Sequence, residues 1–102
     1  MAHKVVFRDD ALADLTTLYD YIASDNSPEV AIRYIRRIQE ACLRLATFPE
    51  RGRRRDDIQP GLRVIGFERR VAIAFRVLKT KVEIVSIAYG GRDFERELRK
   101  GK

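Results

Sequence analysis

Apolar and polar residues alternate along residues 62–89, and a period of two is typical of β-strands. Short polar breaks at Glu68-Arg69 and Lys79-Thr80 divide this stretch into three runs. The predicted strands are Leu62–Phe67, Arg70–Leu78 and Lys81–Tyr89. Because the breaks are short, we expect the three strands to form an antiparallel meander.

A short strand and an amphipathic helix are predicted at the start of the chain. The strand is Lys4–Arg8, and Asp9 or Asp10 is expected to cap the helix by accepting bonds from its first free amides. Apolar residues follow at helical spacing, at positions 11, 12, 15, 18, 19 and 22. The helix is predicted to end in Ser24–Asn26.

A second amphipathic helix is predicted to begin immediately afterwards. Ser27 is a favourable N-cap, and Pro28 suits the first helical position because its φ is fixed and it has no amide to leave unbonded. The apolar stripe of this helix runs from Ala31 to Phe48, and Pro49 is expected to end it.

Together these elements predict one α+β domain over residues 1–102, in the order β-α-α-β-β-β. A helical hairpin packs on the antiparallel sheet, and a short C-terminal helix is expected within Phe94–Lys100. Tyr19 and Tyr34 fall on the apolar stripes and are expected in the core. Tyr21 falls off its stripe and is expected to be exposed.

Positive charge is the feature of the composition that bears most on function. The net charge is +6, and 16 of the 21 cationic residues are arginine, whose planar fork suits phosphates and carboxylates. An acidic or polyanionic partner is therefore expected, although a genome rich in G and C also favours arginine codons. Five arginines bracket the meander, namely Arg63, Arg69, Arg70, Arg76 and Arg92.

The loop between the second helix and the meander, residues 50–61, is the most basic segment. Four of the five positions from Arg51 to Arg55 are arginine. Such a run is usually a solvated loop, but here it directly precedes Arg63 and could extend a positive surface across one sheet edge. Pro60-Gly61 is expected to form the turn that leads into the first strand of the meander.

Few residues in the chain suit nucleophilic or metal chemistry. The single cysteine, Cys42, lies among apolar residues and is expected in the core, which fits a reducing cytoplasm. The single histidine, His3, lies near the N-terminus, and no cluster has metal-site spacing, so no metal or cofactor is predicted. Without a signal peptide or a run of membrane-spanning length, a soluble cytoplasmic protein is expected.

Several motifs follow one another in the order and spacing of a known family. They are Ala11-x-x-Asp14-Leu15, Tyr19-x-Tyr21-Ile22, Ala31, Tyr34-Ile35, Leu45, Phe48-Pro49-Glu50-x-Gly52-Arg53, Pro60-Gly61-Leu62-Arg63 and Ile87-Ala88-Tyr89-Gly90-Gly91-Arg92-Asp93. Nearly end to end, the chain resembles the ParE branch of the RelE/ParE toxin superfamily. The fold implied by this resemblance agrees with the one predicted from the pattern.

The resemblance implies a bacterial toxin that a cognate antitoxin holds inactive. For ParE-like members the implied target is DNA gyrase, with indirect DNA contact through its complex, and the implied partner is a ParD-like antitoxin in a hetero-oligomer. The antitoxin's C-terminal helix and following segment would wrap the hairpin and sheet, with acidic residues meeting the arginines. For RelE-like members the implied activity is cleavage of mRNA on the ribosome. Because both branches share one fold, only the residues of the functional site can distinguish gyrase inhibition from mRNA cleavage.

A nuclease on this fold needs a base for the 2′-hydroxyl proton, cations for the phosphate and an acid for the leaving oxygen. Arg63, Arg76 and Arg92 could supply the cations. Tyr89 stands where many relatives carry histidine, and a phenol with an ordinary pKa near ~10 is a poor base at neutral pH. Glu68 is an alternative base, as is the strand residue Glu83.

An inhibitor needs no proton transfer, only a binding surface, so we predict a toxin that is not an enzyme. A third reading is a degenerate, non-toxic module that only binds its antitoxin. Arg63 and Arg92 could instead form structural ion pairs with Asp56, Asp57 or Asp93. The residues predicted to contact the target or antitoxin are Arg53, Arg63, Arg76, Tyr89, Arg92 and Phe94. In a nuclease, the catalytic residues would be Arg63, Arg76, Tyr89 and Arg92.

Overall fold

The computed structural model describes residues 3–90, which form a sheet covered on one face by a helical hairpin. The elements in chain order are β1 (Lys4–Phe7), α1 (Asp9–Asp25), α2 (Pro28–Leu43), a 3₁₀ turn (Arg44–Ala46), β2 (Arg53–Arg54), β3 (Leu62–Phe67), β4 (Val71–Val77) and β5 (Lys81–Tyr89). The strand order across the sheet is β1-β5-β4-β3-β2. The predicted C-terminal helix, Arg92 and Phe94 lie outside the described residues.

The predicted meander is confirmed. Strands β3, β4 and β5 are antiparallel neighbours, and β3 and β5 have the predicted bounds. On the helix-facing side, Phe75 of β4 pairs with Ile84 of β5, and both are fully buried. The register shifts beside this pair, between Ala74 and Phe75, as at a β-bulge.

The first strand completes a mixed sheet, because β1 lies parallel to β5. Its pairing runs from Lys4 beside Lys81 to Phe7 beside Ile84. A parallel neighbour requires a long crossover, which the chain supplies later through the two helices and the meander. Strand β5 therefore lies between β1 and β4, which accounts for its many β-branched residues.

The start of α2 is as predicted, whereas the predicted cap of α1 is wrong. The Ser27 hydroxyl accepts a hydrogen bond from the Val30 N–H at 3.2 Å, and Pro28 takes the first helical position. In α1 the N-cap is Arg8, which makes no side-chain capping bond. Asp9 and Asp10 lie within the first turn, where their charges still favour the positive end of the helix dipole.

The second helix ends earlier than predicted. Helix α2 stops at Leu43, and the chain tightens into the 3₁₀ turn, which keeps Leu45 fully buried. Phe48 was predicted on the buried stripe, but its side chain is 64% exposed. The helical spacing no longer applies beyond Leu43, so the prediction for Phe48 is wrong.

Both faces of the sheet carry buried apolar residues. The main core lies between the helices and the sheet; Tyr19 and Tyr34 pack against it, as predicted. A smaller cluster on the opposite face joins Ile58 of the basic loop to Leu62 and Ala74. Residues 55–61 therefore fold back over the sheet. Of the helices in residues 3–90, none is long and apolar enough to span a membrane.

Candidate binding surface

The basic loop forms part of the sheet, because Arg53 and Arg54 pair with β3 as the short edge strand β2. Arg53 lies opposite Val64 and is exposed. Gly52, just before it, has a φ of +77°, and a Cβ there would be 2.4 Å from the Val64 carbonyl oxygen. Only glycine fits this close approach without strain. The sequence allowed either a solvated loop or a positive surface across a sheet edge. The structure has the loop extend a positive surface along a sheet edge.

Ion pairs within the loop engage two of its arginines. Arg54 contacts Asp56 at 3.1 Å, and Arg55 contacts Asp57 at 2.8 Å. The Gly61 N–H also donates to Asp56 at 2.8 Å. That backbone bond, followed by the bond from Arg54, lowers the pKa of the Asp56 carboxyl. The carboxylates thus fix the loop's shape.

A groove of about 780 Å³ lies between this loop, the end of α2 and the outer edge of β3. Its floor is formed by residues 64–67 of β3. Arg44 stands on the helix side, and Arg51 and Arg53 stand on the loop side. We call this feature the basic groove. Arginine side chains that line one groove suit carboxylates or phosphates.

Arg63 and Arg76 lie on opposite faces of the sheet. Arg63 is paired with Phe75, whereas Arg76 is paired with Leu62, and neighbouring residues of a strand point to opposite faces. Arg63 therefore shares the helix-facing side with Phe75, where its guanidinium donates to the Arg51 carbonyl at 3.4 Å. Arg53, paired with Val64, lies by the same alternation on the face of Arg76, so the sheet separates Arg53 and Arg76 from Arg63.

Arg76 is held beneath the folded-back part of the loop. Its guanidinium donates to the side-chain oxygen of Gln59, and across the sheet it pairs in register with Glu83. The Arg76 Nε is buried and has no hydrogen-bond partner within the described part of the chain. Arg76 is half-buried whereas Arg53 is exposed, so Arg76 presents less of its charge to a partner than Arg53 does.

Tyr89 lies in a row of aromatic rings where the hairpin meets the end of the sheet. Its ring centroid is 5.8 Å from that of Tyr21 and 6.2 Å from that of Tyr34. Tyr34 also meets Phe67 edge-on, at 5.9 Å. Burial raises the pKa of the Tyr34 phenol, Tyr89 adds to the rise, and Arg37 opposes it. Tyr21 is 57% exposed, as predicted, although its ring contributes to this row.

Arg37 connects the aromatic row to the β3–β4 turn. Its guanidinium carbon is 5.7 Å from the Tyr34 ring centroid and 5.8 Å from that of Phe67, and it forms an ion pair with Glu68. Glu68, one of the residues considered as a base, is thus engaged by a cation. The ion pair occupies the carboxylate that a catalytic base would need free.

Asp14 of α1 binds the edge of β5 just beyond the point where β1 ends. Its carboxylate accepts from the Ile87 N–H at 2.8 Å and from the Ser86 hydroxyl at 3.2 Å. The same aspartate lines a pocket of about 270 Å³ together with Tyr21 and Tyr89. Asp14 therefore positions the strand that carries Tyr89.

Sequence reasoning placed Arg53 at the edge but missed two features of this surface. Arg44 was not predicted because its position depends on where α2 ends. Asp14 appeared only within a motif, and its contact with Ile87 spans 73 residues of sequence. The sequence did contain one indication of this contact. Asp14 is next to Leu15 on the buried stripe, and a carboxylate in such a place needs a hydrogen-bond donor from the rest of the protein.

Comparison with known proteins identifies the family. The profile described as "ParE toxin of type II toxin-antitoxin system, parDE" matches residues 5–94. No curated protein sequence matches the chain. A chain of the chromosomal ParDE toxin–antitoxin system from P. aeruginosa is structurally similar, with a TM-score of 0.76 and 27% sequence identity, over 87% of this chain and 97% of that one.

A second structural match extends the likeness of fold to the RelE side of the superfamily. A chain of the toxin–antitoxin complex RelBE2 from Mycobacterium tuberculosis aligns over 87% of this chain and 99% of its own, with a TM-score of 0.62 and 19% identity. At that identity the match shows the fold alone. The family profile covers most of the sequence, and the chain belongs to the ParE toxin family of type II toxin–antitoxin systems.

Proposed function

We propose that this chain acts as a toxin by binding DNA gyrase, without catalysis, and that a ParD-like antitoxin encoded beside it neutralises it in a hetero-oligomer. The observation that carries the proposal is the ParE family match over residues 5–94. Contact with DNA is indirect in this proposal, through the gyrase complex. In this proposal the protein acts in the cytoplasm, where the buried thiol of Cys42 stays reduced.

The placement of titratable groups supports binding rather than RNA cleavage. The chain's single histidine, His3, bonds through its backbone N–H to Ala46 at 2.9 Å, at the start of β1. Arg53 and Arg63 lie at the other edge of the sheet. Glu68 is in an ion pair with Arg37. Within residues 3–90, the distance of His3 from Arg53 and Arg63 and the engagement of Glu68 favour recognition of an acidic surface over proton transfer.

The decisive experiment is a paired assay on purified protein freed from its antitoxin. One arm measures gyrase supercoiling and accumulation of cleaved DNA, and the other measures mRNA cleavage on programmed ribosomes. Gyrase inhibition with intact mRNA is the expected result. Cleaved mRNA with normal gyrase would refute the proposal and make Tyr89→Phe the first variant to test. Inactivity of folded protein in both arms also contradicts it and favours the non-toxic module.

Variants locate the surface that carries toxicity. We propose that Arg63, Arg76 and Arg92 contribute together, with Arg53, Tyr89 and Phe94 as further contacts. Each alanine variant is expressed from a tightly controlled promoter, and growth arrest is scored with and without the neighbouring gene product. Arg33→Ala is the matched control, since Arg33 is an exposed arginine near the start of α2. If single alanine variants of all three proposed arginines stay folded and fully toxic, the assignment is wrong.

Because Arg63 and Arg76 occupy opposite faces, their variants test two surfaces separately. Arg63→Ala removes charge beside the basic groove and should weaken binding while leaving the fold intact. Arg76→Ala also removes the contact with Gln59, so its stability must be measured alongside its activity. A loss of toxicity in Arg63→Ala alone assigns the contact to the helix-facing side of the sheet.

A further inference from the structure

The pocket of about 270 Å³ at the end of β5 combines a carboxylate with two aromatic rings. Its lining includes Asp14, Tyr21 and Tyr89, and the two ring centroids are 5.8 Å apart with the ring planes inclined at 55°. Within residues 3–90, no arginine or lysine lines it. The pocket lining is therefore negative on a chain whose net charge is +6. We call this feature the aromatic–carboxylate pocket.

This lining suits a guanidinium group. Aromatic faces attract cations, arginine more often than lysine, and a carboxylate forms charge-assisted hydrogen bonds with guanidinium N–H groups. Asp14 accepts from the Ser86 hydroxyl and the Ile87 N–H, both at Oδ2. A carboxylate has two oxygens with about four acceptor sites, so these bonds are compatible with a guanidinium as a further donor. An anion would instead be repelled by the Asp14 charge.

The chain itself brings an arginine close to this pocket. Gly90 is part of the lining, and its N–H donates to the Arg70 carbonyl at 2.9 Å, which fixes its position. Arg92 is the first basic residue after Gly90, and two residues of chain span at most about 7 Å. So short a tether gives Arg92 a high effective concentration at the pocket, an advantage that a cation from another molecule lacks.

The carboxylates of the basic loop suit Arg92 less well than Asp14 does. Asp56 and Asp57 pair with arginines of their own loop, which lies beyond β3 at the β2 edge of the sheet. Strand β5, which leads to Arg92, lies at the other side of the sheet, between β1 and β4. Asp14 bonds β5 directly, three residues before Gly90.

We propose that the aromatic–carboxylate pocket holds the guanidinium of Arg92, with Asp14 as its ion-pair partner and the rings of Tyr21 and Tyr89 as its walls. Asp14 is then a positioning residue that joins helix α1, strand β5 and the start of the C-terminal segment. That this segment contacts the target through Phe94 rests on the proposed function; the ion pair does not.

The first test follows the side-chain Nε–H signal of Arg92 by NMR in the full, isotopically labelled chain. Exchange of this hydrogen with water should be at least tenfold slower than that of the Arg96 Nε–H. Asp14→Asn keeps an oxygen acceptor for β5 but removes the charge, and it should abolish the difference. Tyr21→Leu should change the Arg92 shift, because it removes one ring from an exposed position. Asp20→Asn, an exposed carboxylate on the same helix, is the matched control and should leave the signal unchanged.

A double-mutant cycle in urea unfolding measures the pairing itself. Asp14→Asn and Arg92→Gln should each lower the folding equilibrium constant, and their combined loss should be at least threefold smaller than the product of the single losses. When Arg96→Gln replaces Arg92→Gln, the losses should multiply. Multiplicative losses for Asp14 and Arg92 overturn the proposal, as does an Arg92 signal that Asp14→Asn leaves unchanged.

Free arginine tests whether the pocket takes its cation from another molecule. With Arg92 in the pocket, millimolar arginine should leave the ring signals of Tyr21 and Tyr89 unchanged in the natural chain. In Arg92→Gln the same addition should shift them. Saturable shifts of equal affinity in both proteins would overturn the choice of Arg92 as the occupant.

The gyrase assay distinguishes this inference from the proposed function. If the ion pair positions the C-terminal segment for its target, Asp14→Asn should weaken gyrase inhibition at least threefold, whereas Asp20→Asn should stay within twofold. Unchanged inhibition by folded Asp14→Asn overturns the positioning role. Coupling between Asp14 and Arg92 in a protein that leaves gyrase untouched supports the ion pair and refutes the proposed target. Gyrase inhibition without that coupling refutes the ion pair and leaves the proposed function intact.

Discussion

Gly52 and Gly61 form a matched pair for testing how tightly the basic loop is joined to the sheet. Both have nearly the same backbone conformation, with φ of +77° and +78°. A Cβ at Gly61 would have no heavy atom within 4 Å, whereas a Cβ at Gly52 would lie 2.4 Å from both the Val64 carbonyl oxygen and the Ile65 Cγ2. The two alanine variants therefore share backbone strain and differ in steric overlap.

The expected losses in the free energy of unfolding follow from backbone strain and steric overlap. Left-handed backbone costs an alanine about 1–2 kcal/mol, which is the whole expected effect of Gly61→Ala. Gly52→Ala adds the cost of overpacking against β3, about 1–3 kcal/mol. If strand β2 instead relieves the overlap by leaving β3, the overpacking cost is replaced by the loss of hydrogen bonds, each worth about 0.5–1.5 kcal/mol. The total for Gly52→Ala is then about 2–5 kcal/mol.

Urea unfolding followed by far-ultraviolet circular dichroism measures both variants, and it suits a chain that lacks tryptophan. The melting temperature of Gly52→Ala should lie below that of Gly61→Ala by at least about 4 °C, since 1 kcal/mol shifts a domain of this size by that amount. If the two variants unfold at the same urea concentration, the close approach of Gly52 to β3 is refuted.

Three further predictions concern other parts of the fold. Asp14→Ala should cost about 1.5–3 kcal/mol in urea unfolding, because the Ile87 N–H and Ser86 hydroxyl lose a charged acceptor, and unchanged stability would refute that role. Arg69→Gly should raise stability by about 1 kcal/mol, since Arg69 has a φ of +65°, and a lower melting temperature would contradict this. Burial raises the pKa of the Cys42 thiol from 9.0 to about 12, so its contribution to stability is complete below pH 9 and falls as pH rises towards 12. Urea unfolding is measured at pH 8 and at pH 10.5. The free energy of unfolding should fall more between the two pH values in the natural chain than in the Cys42→Ala variant.

Local patterns determined most of the secondary structure. The alternation in Leu62–Phe67 and Lys81–Tyr89 predicted β3 and β5 with their observed bounds, and Ser27-Pro28 predicted the start of α2. These signals are local because strand alternation and helix capping depend on neighbours within a few residues. The order and spacing of motifs likewise carried the family assignment, which the profile match confirms.

Tertiary packing decided what local spacing could not. Asp9 and Asp10 have good capping chemistry, yet the hydrogen bond from the Arg8 N–H to the Ile84 carbonyl continues β1 up to the helix and makes Arg8 the cap. Phe48 matched the stripe of α2, but the helix had already ended at Leu43. At Arg8 a contact distant in sequence thus determined where α1 begins.

The candidate surface depended most on the tertiary structure. The sequence alone supplied the arginines, because net charge and the run Arg51–Arg55 need no folding to be seen. Only strand register shows that Arg63 and Arg76 face opposite sides of the sheet, and only the end of α2 brings Arg44 beside Arg53. A sequence fixes which charges a chain carries, whereas register and crossover fix which of them meet, since those depend on hydrogen bonds between residues far apart in the chain.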